Sequence, residues 1–287
     1  MAGADLEYDL IVIGSGPAGQ KAALAAAKHR VRVALIEQRQ VVGGACLHTG
    51  TIPSKTLREA ILYFTGHRLH GLYGAAYRVK ERITPEDLTF RVQHVIRHEL
   101  DVVSSQMRRN DIDMYFGSAQ FESPDTLLVQ NAHTITRLVA KKFIIAVGSE
   151  PARPPYIPFT AGRIIDSDGI LQLPTIPRTM VVVGAGIIGC EYGSIFATLG
   201  VEVTLVDQRD RLLDFADREI VEALTFYLRR ANITLRLGEA VTKVSLDDRD
   251  RVVTELESGK RIVSETLLFA IGRQGATSRL NLAAAGL

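Results

Sequence analysis

Cysteine is scarce in this chain, tryptophan is absent, and neither sign of charge dominates. Two cysteines, Cys46 and Cys190, cannot staple a disulfide framework, so the sequence is read as that of a protein of a reducing, cytoplasmic compartment. A formal net charge of +2, with acids and bases interspersed, argues against a nucleic-acid partner. No apolar run reaches the roughly 18 residues of a membrane span. The opening residues, MAGADLEYDLIVIG, lack the basic and then long apolar segments of a leader peptide. No H-E-x-x-H is present. His94 and His98, four apart, are read as a solvated helix face, so no metal is expected.

What the chain does have is length, apolar content and a repeat. Its 287 residues are 46% hydrophobic, enough for two domains. Residues 8–37 read YDLIVIGSGPAGQKAALAAAKHRVRVALIE, and residues 179–207 read TMVVVGAGIIGCEYGSIFATLGVEVTLVD. Each shows an apolar strand, G-x-G-x-x-G, a helix of small residues, and a second strand ending in an acid. Gly14 to Glu37 and Gly184 to Asp207 are both 23 positions. Further on, FESPDTLLVQ and KKFIIAVGS in the first copy match KVSLDDRDRVVTELESGKRIVSETLLFAIGR in the second. Both read as an antiparallel meander and then a strand ending in Ala-x-Gly. The fold class is therefore α/β, with two tandem Rossmann-like domains, each a parallel sheet with helices and an antiparallel β-meander. The expected division is 1–150, a linker and return segment over 151–177, and 178–287. PARPPYIPFTAG supplies the prolines of that linker. A long helix is predicted over 83–110, with Thr84 as N-cap, Pro85 first in the helix and Asp87 closing a capping box.

The glycines suit a dinucleotide. Gly14 permits the tight turn, Gly16 lets a pyrophosphate approach the backbone, and Gly19 lets the helix lie close on the strand. The N–H groups of Ala18 and Gly19, which follow Pro17 at the opening of that helix, and its positive dipole end stabilise phosphate. Glu37, followed by Gln38, is placed to accept bonds from ribose hydroxyls. Gly184, Gly186, Ile187, Ile188, Gly189 and Asp207 repeat the arrangement. An acid at 207 favours NAD(H), whereas Arg209 and Arg211 would accommodate the 2′-phosphate of NADP(H); both remain open. Two such sites suit a flavin in the first and a nicotinamide in the second.

The chain resembles the flavin disulfide reductase superfamily, and within it the soluble, si-specific pyridine nucleotide transhydrogenases. Residues 43–55, GGACLHTGTIPSK, carry most of this, with TIPSKTLREA, RIIDSDGIL, GAGIIGCEYGSIFA and RDRLLDF. In the superfamily two cysteines sit five apart in this loop. Here Cys46 is present and Thr51 takes the second place. A hydroxyl cannot form the roughly 2.05 Å sulfur–sulfur bond. The resemblance implies an FAD enzyme that passes hydride between NADPH and NAD+. It places Gly43, Gly44, Ala45, Cys46 and Thr51 beside the flavin, Lys55 against it, and Glu191 paired with Lys55. It places Gly117 and Ser118 toward the adenine side of FAD, Ala146, Gly148 and Ser149 at a close approach to FAD, and Gly272 at the nicotinamide nucleotide. Cys46, just ahead of an apparent helix, is read as a packed loop residue, and Cys190 as a buried filler.

Relatives of this kind continue beyond the point where this sequence stops, with a second flavin motif and a dimerisation domain. The expectation is that the sequence is partial, that its first domain is incomplete, and that homo-oligomers belong to the full-length protein. The alternatives are a related reductase acting on a quinone, dye or dihydrolipoamide, and a non-catalytic nucleotide-binding fragment.

Overall fold

The computed structural model describes residues 6–74 and 76–287. It divides into two compact units. Of the described residues, one comprises 6–53, 94–150 and 274–287; the other comprises 54–74, 76–93 and 151–273.

The first unit is built on β1 (Leu6–Ile13), α1 (Pro17–Lys28) and β2 (Val33–Glu37). Then come α2 (Gly44–His48) and the start of α3 (Thr51–Phe64). The chain returns through the later part of α5 (Pro85–Arg109) into β3 (Asp113–Phe116), β4 (Ser118–Ser123), β5 (Thr126–Gln130) and β6 (Ile135–Ile145). The six strands form one sheet in the order β3-β2-β1-β6-β5-β4. β1 is parallel to both β2 and β6. Alternate side chains of β1 enter two cores, as the period of two requires. Ile11 and Ile13 pack with Phe121, Leu127 and Leu138, and Leu10 and Val12 pack with Ala23, Val103 and Met107. A strand buried on both faces needs a continuous apolar run, which LIVI supplies.

The two halves of the repeat handle the meander differently. In the first unit the 11-residue β6 serves twice. Its early residues, Ile135–Val139, pair antiparallel with β5, while Leu138–Ile145 pair parallel with β1.

The second unit holds α4 (His70–Tyr73), the last residue of β7 (Ser149–Pro151) and β8 (Ile164–Asp166). Its nucleotide-fold half is β9 (Thr179–Val183), α6 (Ile187–Thr198), β10 (Glu202–Asp207), α7 (Arg218–Arg230) and β11 (Thr234–Leu237). β12 (Val241–Leu246), β13 (Val252–Leu256) and β14 (Arg261–Ser264) form a separate three-stranded antiparallel sheet. After the single residue Glu265, β15 (Thr266–Phe269) enters a five-stranded parallel sheet in the order β11-β10-β9-β15-β8. Here the two jobs of β6 are split between β14 and β15. Ile164–Asp166, within the stretch read as linker and return segment, is the edge strand of that sheet.

The capping box of α5 is formed. Thr84 N–H donates to Asp87 Oδ2 at 2.8 Å, and Asp87 N–H to Thr84 Oγ1 at 3.4 Å. Val92 and Val103 are buried on one stripe, while His94 and His98 are exposed. Among the described residues no three His, Cys, Asp or Glu side chains are grouped to hold a metal ion. Among them, too, no helix is long and apolar enough to cross a membrane.

Candidate dinucleotide sites

The turn after β1 admits only glycine at two positions. Gly14 has φ +103°, and a Cβ there would lie 2.4 Å from the Ala146 carbonyl oxygen. A Cβ on Gly19 would lie 1.8 Å from the Gly14 carbonyl oxygen. Gly16 is different. It is extended, at φ −66° and ψ 177°, and a Cβ there would meet nothing within 4 Å. It sits at the N-terminus of α1, which begins with Pro17 and has no side-chain cap. The opening N–H groups, at Ala18 and Gly19, therefore have no capping side chain, an arrangement suited to an anion.

Glu37, 7% exposed, ties this turn to the next loop. Its Oε2 accepts from Ser15 N–H at 3.1 Å and from the Ser15 hydroxyl, and its Oε1 from Arg39 N–H at 2.9 Å. Ser15 Oγ accepts from Gly43 N–H at 2.9 Å. A Cβ on Gly44 would lie 2.7 Å from Gly16 Cα, so the loop carrying Cys46 starts against the glycine turn after β1. Gly117 N–H donates to the Glu37 carbonyl at 2.9 Å, and Ala146 N–H to Ile13 at 2.8 Å. Gly117 and Ala146 are thus held at the ends of β2 and β1, while Ser118, Gly148 and Ser149 are exposed beside them in sequence. Gln38 is exposed next to Glu37.

Cys46 precedes α3, as expected, but the stretch that holds it is itself helical. It lies inside the five-residue α2, and the chain breaks at Thr49–Gly50 before α3 begins at Thr51. The break is sealed by N–H groups of Thr49 and Gly50, which both donate to the Ala45 carbonyl. Cys46 is half-buried with a free thiol. Thr49 Oγ1 is buried without a hydrogen-bond partner. An orphaned hydroxyl in this loop, the uncapped helix and the open space at Gly16 together fit a polar ligand such as a dinucleotide.

The second unit repeats the geometry. Gly184 has φ +109°, and a Cβ there would be 2.4 Å from the Ala270 carbonyl oxygen. A Cβ on Gly189 would be 1.8 Å from Gly184 O, and one on Gly186 would meet nothing. α6 also lacks a side-chain cap. Ile187 is 63% exposed at its start, Ile188 is half-buried, and Gly272 is exposed at φ +145°. Asp207, 6% exposed, accepts from Ala185 N–H at 2.6 Å, as Glu37 does from Ser15.

One difference is electrostatic. Arg209 donates to Asp207 through Nε at 2.9 Å and Nη2 at 2.7 Å, a bidentate pair. Burial pushes the Asp207 carboxyl up. The Arg209 guanidinium and the N–H groups of Ala185 and Arg209 outweigh it and hold the carboxyl below its usual range. The same bond raises Arg209 further above its already high value.

Lys55 Nζ and Glu191 Oε1 are 2.5 Å apart, with side chains 57% and 20% exposed. The structure thus brings together two residues 136 positions apart that the sequence paired through resemblance alone. Cys190 is buried, and its Sγ donates to the Ala185 carbonyl at 3.5 Å. Burial, then the charge of Asp207, pushes its thiol up to about 11, which makes it unreactive. Sequence reasoning missed Ser15, whose buried hydroxyl completes the Glu37 network. The signal was there, as a hydroxyl between the first two glycines. It also missed the bond from Arg209 Nη1 to Asp214 Oδ1, at 2.9 Å, which depends on the folded loop.

Two glycine turns of one design, each closed by a buried acid, define a tandem dinucleotide-fold protein. The chain belongs to the pyridine nucleotide-disulphide oxidoreductase family, whose family model matches residues 8–287. It is 53% identical over 283 residues to a soluble pyridine nucleotide transhydrogenase of Mycobacterium tuberculosis (strain ATCC 25177 / H37Ra), covering 98% of this chain and 60% of that protein. It is 40% identical over 282 residues to one from Colwellia psychrerythraea, with the same coverages. Among solved structures it is similar to the Cu(II) complex of the HOCl-induced flavoprotein disulfide reductase RclA from Escherichia coli. That match has a TM-score of 0.86 and 29% identity, over 98% of this chain and 60% of that one. The chain therefore spans about three-fifths of the length of these relatives.

Proposed function

We propose that the intact protein is an FAD-dependent pyridine nucleotide transhydrogenase, moving hydride between NADPH and NAD+. Its first fold would take FAD and its second NAD(H) or NADP(H). The observation that carries this reading is Thr51. With a hydroxyl opposite Cys46, the loop has no second sulfur and no internal dithiol to receive electrons. The similarity to transhydrogenases of two bacterial groups supports it. FAD, when bound, accepts a hydride from a dihydronicotinamide and returns it to an oxidised one.

The residues have assigned tasks in this reading. The open backbone at Gly16 and the first turn of α1 hold the FAD pyrophosphate, with Glu37 toward its ribose. Gly43, Gly44, Ala45 and Gly117, Ser118, Ala146, Gly148 and Ser149 complete that site. Gly186, Ile187, Ile188 and the first turn of α6 hold the nicotinamide dinucleotide, with Asp207, Arg209 and Gly272. Glu191 fixes the Lys55 ammonium, whose positive charge favours hydride acceptance. The intact protein would be a cytoplasmic homo-oligomer.

A reductive titration tests the electron count. The reading expects the full-length protein to bind FAD and to be fully bleached by one equivalent of NADPH, two electrons. Uptake of four electrons would reveal a second redox group and reject it.

A further inference from the structure

The carboxylate of Asp207 has no place left for a ribose. Its oxygens accept from Ala185 N–H at 2.6 Å, Arg209 N–H at 2.8 Å, Arg209 Nε at 2.9 Å and Arg209 Nη2 at 2.7 Å. An ionised carboxylate offers about four lone-pair sites, and all are taken. Glu37 is not filled in this way. Arg39, at the same offset in the first repeat, reaches it through the backbone N–H. With the two bonds from Ser15, three sites are used and one is left.

The outer edge of Arg209 is held as well. Nη1 donates to Asp214 Oδ1 at 2.9 Å. Asp214 reaches it through a tight return of the loop after β10. Leu212 is fully buried and anchors the loop. Leu213 has φ +41°, a conformation rare for a leucine, and its N–H donates to the Ala185 carbonyl at 3.2 Å. Arg211 Nη2 donates to the carbonyl of Asp214. The side chain of Asp214 is 49% exposed, against 5% for Asp207. Asp214 is therefore the anchor that solvent, or a ligand anion, can replace.

We propose that Asp214 sets nucleotide choice at the second repeat by competing with a ligand's 2′-phosphate for Arg209. This rests on the reading that the second fold takes nicotinamide nucleotides. When Arg209 leaves Asp214, its freed edge meets a phosphate dianion while Asp207 stays neutralised. When Arg209 leaves Asp207, the bared acid accepts a ribose diol. One pair thus offers opposite charges to two ligands, as a protein handling both NAD(H) and NADP(H) requires.

Calorimetric binding of 2′,5′-ADP and 5′-AMP tests this, and the ratio of the two affinities cancels any loss of folded protein. Asp214→Asn removes the competitor without touching the buried pair. It is expected to tighten 2′,5′-ADP about 3-fold, the scale of an exposed charge pair, and to leave 5′-AMP within about 2-fold. Arg209→Gln is expected to weaken 2′,5′-ADP by about 10-fold or more and to leave 5′-AMP unchanged or tighter. An Asp214→Asn ratio that is unchanged, or shifted toward 5′-AMP, overturns the role of Asp214. Failure of the unaltered protein to bind either compound overturns the nucleotide reading and this proposal together.

Discussion

Gly16→Ala and Gly19→Ala should fail in opposite ways. The two glycines are three residues apart in one motif, yet their surroundings differ. A Cβ at 19 would sit 1.8 Å from Gly14 O, where ordinary contact needs about 3.5 Å. To restore that gap α1 must withdraw from β1, an overpacking change that costs about 1–3 kcal/mol or more. At about 2–4 °C per kcal/mol, Tm of the apoprotein should fall by roughly 2–12 °C. A Cβ at 16 meets nothing, and the backbone there is one alanine adopts readily. Gly→Ala at such a site stabilises by about 0.4–1 kcal/mol through the unfolded chain, so Tm should hold or rise slightly. In the proposed function, however, FAD approaches that open face. The methyl group should raise its Kd at least about 10-fold, or 1.4 kcal/mol. Thermal melts of apoprotein and flavin absorbance after gel filtration read the two effects. If Gly16→Ala melts as early as Gly19→Ala, or binds FAD as tightly as the unaltered protein, the assignment of the open space to phosphate is wrong.

Three further outcomes are expected. Thr51→Cys restores the second sulfur, so after oxidation the titratable thiols should fall to one, Cys190, from the two of the unaltered chain; three would show that the loop cannot close. Lys55→Ala should retain FAD but slow its reduction by NADPH in single-turnover stopped flow, and an unchanged rate would remove Lys55 from the mechanism. Tyr8 donates to Asp113 at 2.9 Å and shares a 2.7 Å bond with Tyr115. Burial, then those two partners, raises its phenol pKa above the ordinary value near 10. The folded state thus favours the protonated phenol. Its contribution is complete below pH ~10 and is lost as pH rises beyond that. Urea unfolding at pH 8 and pH 10.5 should show a steeper loss for the unaltered protein than for Tyr8→Phe; equal slopes would refute the linkage.

The turns were legible because one motif occurs twice with one spacing. Gly14, Gly16 and Gly19 could be given separate jobs because a tight turn, an open backbone and a close packing each demand glycine for a different reason. The capping box at Thr84 and Asp87 was legible for the same local reason. Long-range geometry was not. Nothing in ITRLVAKKFII says that one strand will serve both the meander and the parallel sheet, whereas a break at Glu265 splits those tasks in the second copy. The short helix that holds Cys46 was not legible, because Gly43 and Gly44, both at positive φ, start it and glycines alone do not announce one. Arg209 was singled out for its charge, but the bonds that tie it to Asp207 and Asp214 depend on how the loop folds back at Leu213.

The central claim is that electrons entering this protein from one nicotinamide leave to another, because Thr51 provides no sulfur. The most direct measurement supplies the full-length, FAD-loaded protein with NADPH and either thio-NAD+, lipoamide or oxidised glutathione. The account predicts rapid reduction of thio-NAD+ and negligible reduction of either disulfide. Fast turnover of a disulfide, with thio-NAD+ left untouched, would contradict it.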